Sequence, residues 1–152
     1  MDRDGSIPLA LGNGGAAIAR VDVDGNLDTR FPDRGMLDME RENGKDMRAV
    51  AIRSDRRIVV SGPIDHAGGG FDHCIRRLPH DGMLDAAFDG SGVICIGVGD
   101  GESDLGRAVT FSAGRPVIAG YGGSELEFAT LVRLQSDLIR ADGGGRIKGS
   151  SP

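Results

Sequence analysis

At 152 residues and a net charge of −5, the chain is long enough to bury one core, and no Lys/Arg cluster exceeds two adjacent residues. That excludes the electrostatic footprint of a nucleic-acid binder, and the lack of any apolar run of about 18 residues excludes a helical membrane span. With 26 Gly, no Trp, one Tyr and five Phe, the composition favours many tight turns over long helices.

In chain order, the N-terminus "MDRDGSIPLALGNGG" has neither the basic start nor the apolar core of a signal peptide, so no export signal is expected in the chain as it stands. Within it, "DGSIPLALG" (4–12) reads as a strand. The next segment, "LALGNGGAAIAR" (9–20), imitates a dinucleotide fingerprint through Gly12, Gly14 and Ala17. That motif needs a full helix after it, and the Asp24-Gly25 turn comes too soon for one, so a hairpin loop is the reading. A strand "AIARVDV" (17–23) follows, closed by Asp24-Gly25, where Gly tolerates a left-handed backbone. Then come "GMLDM" (35–39), "RAVAIR" (48–53) and "RIVVSG" (57–62), the last apolar on both faces and therefore a buried strand.

From here the chain repeats itself. A shift of 57 places Arg20 on Arg77, Gly25 on Gly82, Leu27 on Leu84, Asp28 on Asp85, Phe31 on Phe88 and Gly35 on Gly92. "HCIRRL" (73–78) is the second copy of the first strand, and Asp81-Gly82 is its turn. "GVICI" (92–96), "RAVTF" (107–111) and "RPVIAG" (115–120) follow in the same order. "ATLVRL" (129–134) opens a third copy, bringing Arg133 to the position of Arg20 and Arg77, after which Leu138 stands where the turn Gly belongs. Short strands separated by turn signals define an all-β class. The expected organisation is a β-repeat domain over 1–135, with a partial unit 1–15, units 16–72 and 73–128, a partial unit 129–142 and an unstructured tail 143–152.

The ordered series "ARVDVDGNLDTRFPDRG…RAVAIRSDRRIVVSG" resembles the delta-60 repeat, a bacterial repeat of β-propeller type. The resemblance covers about residues 5–135. It implies antiparallel four-stranded blades, about two and two-thirds of them here, and hence an incomplete or oligomer-completed propeller. One closure pairs the strand at 6–11 with that at 128–134. The partners expected are further copies of the chain or blades from another chain. The resemblance also implies a cell-envelope or extracellular address and an uncharacterised role.

Asp22, Asp24 and Asp28 echo a calcium loop, in which alternate carboxylates converge on a hard cation. The second copy keeps only Asp81 and Asp85, and no bidentate Glu follows at loop spacing. Turn-forming and capping roles are therefore read first, calcium second, and no other cofactor is expected. Arg20, Arg77 and Arg133 are expected to pair with carboxylates such as Asp28 and Asp85 of their own units, with anion binding the lesser alternative. His66, His73 and His80 fall outside the repeat register and lack closely spaced metal-ligand partners, so surface or loop positions are expected. Cys74 and Cys95 read as buried thiols on neighbouring strands, with a disulfide the minority reading. "GDGESD" (99–104) reads as a solvated loop, and no Gly-x-Ser-x-Gly elbow occurs.

The function expected is a non-catalytic structural or binding module whose loops on one sheet edge meet a ligand. Its rivals are an oligomeric propeller binding a sugar or peptide and, third, a metal-dependent hydrolase. With Tyr121 alone available beside the five Phe, stacking platforms for a sugar are scarce.

Overall fold

The computed structural model describes residues 4–12, 16–39, 46–65, 69–98, 103–123 and 128–134, together with the backbone of 147–149. It contains three sheets stacked face to face. The first holds β1 (Ile7–Gly12), β2 (Ala16–Val21) and β3 (Met36–Asp38) in that order. The second is a meander of β4 (Ala49–Ile52), β5 (Ile58–Asp65), β6 (Phe71–Leu78) and β7 (Val93–Val98). The third holds β8 (Asp104–Ser112), β9 (Arg115–Gly122) and β10 (Phe128–Arg133). All these pairings are antiparallel, with one bulge between Gly106 and Ala108.

The sheets are offset from the sequence units. Each sheet takes the closing strands of one unit and the opening strands of the next, so the middle sheet joins "RAVAI" and "RIVVSG" to "HCIRRL" and "GVICI". β5 and β6 are paired along their full lengths, from Ile58↔Leu78 to Asp65↔Phe71, whereas β3 and β4 lie in different sheets.

Strand alternation then fills two cores on opposite faces of the middle sheet. Ile58, Val60 and Leu78 face the first sheet, where they meet Ala16, Ile18, Phe31, Met39 and Met47. Val59, Ile75, Ile94 and Ile96 face the third sheet and meet Ile118, Leu134 and Phe88. β5 is apolar on both faces because both are covered.

Two expectations are corrected here. The strand at 6–11 does not pair with that at 128–134: β1 pairs with β2 and β10 with β9, at opposite ends of the stack. A direct hairpin partner was available to each, so neither needed the other. Part of the tail expected to be unstructured forms β11 (Ile147–Gly149), added in parallel to β7, whose outer edge in the four-stranded meander is open to it. The rest of the tail lies outside the described residues. No helix among the described residues is long and apolar enough to cross a membrane, which leaves spanning by strands unaddressed.

Candidate functional site

The repeated residues build one corner twice. In the first copy the strand's last Arg is followed by a tight turn with Gly25 at φ 83°. The Asp28 amide then donates to the Arg20 carbonyl at 2.8 Å, and the Phe31 amide donates to the Asp28 carbonyl at 2.9 Å. In the second copy Gly82 has φ 86°, the Asp85 amide donates to the Arg77 carbonyl at 2.8 Å, and the Phe88 amide to the Asp85 carbonyl at 2.7 Å. This backbone geometry swings Asp and Phe back onto the Arg that precedes them.

The side chains close a clasp. Arg20 Nε lies 2.9 Å from Asp28 Oδ2, an ion-pair contact with both side chains about 3% exposed. Its guanidinium sits 4.9 Å from the Phe31 ring centroid, and Nη1 donates to the His80 carbonyl of the next unit at 3.1 Å. Arg77 repeats this with Asp85 at 2.9 Å and Phe88 at 4.5 Å. The modest worth of exposed ion pairs does not apply at such burial, and the cation over the ring adds a further attraction. Arg133, at the third repeat position, is exposed.

Each carboxylate takes a second guanidinium, from a different place in each copy. Arg30, two residues on, grips Asp28 with Nε to Oδ1 at 2.8 Å and Nη2 to Oδ2 at 2.9 Å. In the second copy Ala87 stands at the matching position, and Arg57 from the start of the β5 hairpin reaches Asp85 at 3.0 Å instead. Sequence reasoning missed both: Arg30 does not repeat, and Arg57, although it recurs as Arg115, meets Asp85 only through the fold. The Arg30 hydrogen bonds, reinforced by the nearby Arg20 charge, hold the Asp28 carboxyl down at about 2 despite its burial.

For the calcium reading, the geometry distributes the three aspartates. Both Asp28 oxygens point at guanidinium groups. Asp22 Oδ1 accepts the amides of Asp24 and Asn26 at 3.0 and 2.9 Å, forming an Asx turn, while Asp24 is exposed. Among the described residues no three His, Cys, Asp or Glu side chains gather into a metal-sized cluster.

Several buried polar groups lie elsewhere. His73, read as a surface or loop residue, is 1% exposed in β6. Its Nε2 donates to the Tyr121 carbonyl at 3.1 Å, and burial against the third sheet pulls its pKa below the ordinary histidine value. The correction follows from β6 being covered on both faces. His80 is exposed, and His66 lies outside the described residues. Asp104, expected in a solvated loop, begins β8 and is buried, while 99–102 lie outside the described residues. Arg76 is fully buried against Met47, its Nη1 4.0 Å from the sulfur. The pair Arg76-Arg77 was readable in principle: neighbours on a strand point to opposite faces, so one arginine enters each core.

The thiol reading of the cysteines is also corrected. Cys74 and Cys95 are directly opposite on β6 and β7, with Cα atoms 4.1 Å apart, and are joined by a disulfide. Cross-strand register brought them into bonding range, a relation their sequence separation did not display.

A cleft of about 430 Å3 opens between the first sheet and the second Asp-Gly turn. Leu37, Met39, Leu78, Met83 and Leu84 line it, with Asp33 at the left-handed turn α1 (Pro32–Gly35) among its polar residues.

The stacked meanders and their repeated clasps define an incomplete β-propeller-type fold. The family model described as a domain of unknown function (DUF5122) beta-propeller matches residues 53–88, from the turn before β5 through the second clasp to Phe88. No curated protein and no solved structure matches the chain.

Proposed function

We propose that the chain is a delta-60-type repeat module of a bacterial envelope-associated or secreted protein, acting as a non-catalytic scaffold and binding unit. The observation that carries this reading is the duplicated clasp: Asp28 and Asp85, the carboxylates at equivalent repeat positions, face arginines and hold the fold together. The cross-strand disulfide supports an oxidising address outside the cytoplasm.

Melting the protein in reductant and, separately, in chelator tests both parts. Reduction is expected to cost roughly 3 kcal/mol, the loop-closure value for about 20 enclosed residues, and so to lower Tm by several degrees. Chelator is expected to leave Tm unchanged. A fall in chelator reversed by calcium would restore Asp22, Asp24 and Asp28 as a metal site. An unchanged Tm in reductant would remove the support for an oxidising address.

A second reading, a small-ligand site, rests on the cleft. Its volume is in the range of ligand pockets, about 300–1,000 Å3. Apolar walls with two aspartates, Asp33 and Asp38, among the lining suit a peptide carrying leucine and lysine better than a sugar, since the lining holds no aromatic side chain. A short Leu/Lys peptide is expected to bind the wild-type chain, and Met83→Lys, at an exposed position, to abolish binding. Titration calorimetry that finds equal binding to both proteins would place the peptide elsewhere.

A further inference from the structure

The two ends of the stack carry the two halves of one contact. Every inter-sheet core in the chain joins a face of one type to a face of another. The first type carries Val59 and Ile75, or, in the first sheet, Pro8 and Ile18 at the matching repeat positions. The second type carries Ile58 and Val60, or, in the third sheet, Pro116 and Ile118. Among the described residues, one face of each type has no sheet against it.

On the third sheet the outward face is of the first type. Val117 and Leu131 occupy the positions of Val59 and Ile75, with Ala119 paired to Leu131 and Ala129 to Tyr121. Ile75 is fully buried, while Leu131 is 76% exposed. On the first sheet the outward face is of the second type. Ile7 and Leu9 take the positions of Ile58 and Val60, beside Leu11, Val21 and Met36. Ile7, Leu9 and Leu11 are each 38–40% exposed, against 0–3% for Ile58 and Val60.

We infer that the third sheet of one copy docks on the first sheet of a second copy, head to tail. The occupant is a second copy because each open face has, on the same chain, the very face type that covers its equivalent inside the stack. The contact continues an interface the chain already makes twice. It is heterologous, so copies add in one direction and end either in a ring or in a filament. Tyr121 lies on the docking face, which gives that residue a role the sequence did not suggest.

Light scattering of the full chain on a sizing column tests this through two blocking variants. Wild type is expected to show masses at multiples of the 15.8 kDa chain, growing with concentration. Leu9→Glu blocks one face and Leu131→Glu the other, and each alone is expected to be monomeric with unaltered circular dichroism. Mixed in equal amounts, they are expected to give a species of twice the chain mass and nothing larger, because the intact face of each meets the intact face of the other. Should Leu9→Glu disturb β1, Ile7→Glu probes the same face. A wild-type monomer at every concentration, oligomers that persist in either variant, or a mixture that stays monomeric would each overturn the docking. None of these results bears on the module reading, which the melting experiment decides separately.

Discussion

Phe88→Ala is expected to lower the unfolding free energy by about 3–5 kcal/mol, among the largest single-residue effects in the chain. The ring is completely buried in the core between the second and third sheets, with Val59, Ile75 and Ile118 in the same cluster. Truncation leaves a cavity there and also removes the aromatic face beneath the Arg77 guanidinium, 4.5 Å from the ring centroid. Phe31→Ala is expected to act alike on the other core, where Phe31 packs with Ile18 and Val60. Met83→Ala serves as the control at a position 71% exposed, with an expected change within about 0.5 kcal/mol. Denaturant unfolding measures all three. Near-neutral behaviour of Phe88→Ala would mean that the ring does not close the core between these sheets.

Asp28→Ala is expected to cost a comparable amount, about 3–5 kcal/mol, for an electrostatic reason. Arg20 is 3% exposed, and removing its carboxylate leaves a buried cation beside the His80 carbonyl and the Phe31 ring with no carboxylate against it among the described residues. Arg20→Met combined with Asp28→Leu is expected to recover most of the loss, because the charge and its counter-charge leave together. The same residue shapes the acid limb of stability. Its folded pKa is depressed from 3.8 to about 2, so the stabilisation is complete above the unfolded value and is lost as pH falls toward 2. Asp85 and Asp55 are lowered in the same direction, in each case against the cost of burial, by hydrogen bonds from Ala87 and Arg57 respectively and by nearby arginine charge. Wild type is therefore expected to lose stability steeply between pH 4 and pH 2, and Asp28→Asn to show a shallower slope in that window. Equal slopes would mean that Asp28 titrates alike in the folded and unfolded chain.

How much of this was legible in the sequence differs by kind of feature. Strands announced themselves because alternation and Asp-Gly turns are local, and the repeated Arg, Asp and Phe marked the clasp before any coordinates. Which strands share a sheet was not legible: the units begin at "AIARV", while the middle sheet begins one half-unit later, at Ala49. Offset of that sort depends on which neighbouring strands pair with one another, and residue identity alone does not state it. Contacts between distant segments were equally hidden. Arg57 reaches Asp85 across 28 positions, and Cys74 meets Cys95 through register, so neither contact could be found by aligning the chain with itself. His73, outside the repeat register and so expected at a surface or loop position, is buried because its strand is covered on both sides.

The half-unit offset bears on how such a gene can change length. A duplicated segment of 57 residues would supply the closing strands of one sheet and the opening strands of the next. Every junction in the enlarged chain would then be of a kind already present, with the same hairpins, clasps and facing layers. Recombination by whole segments thus creates no novel surface inside the molecule, wherever its breakpoints fall. Selection can set the number of layers without first having to repair a seam.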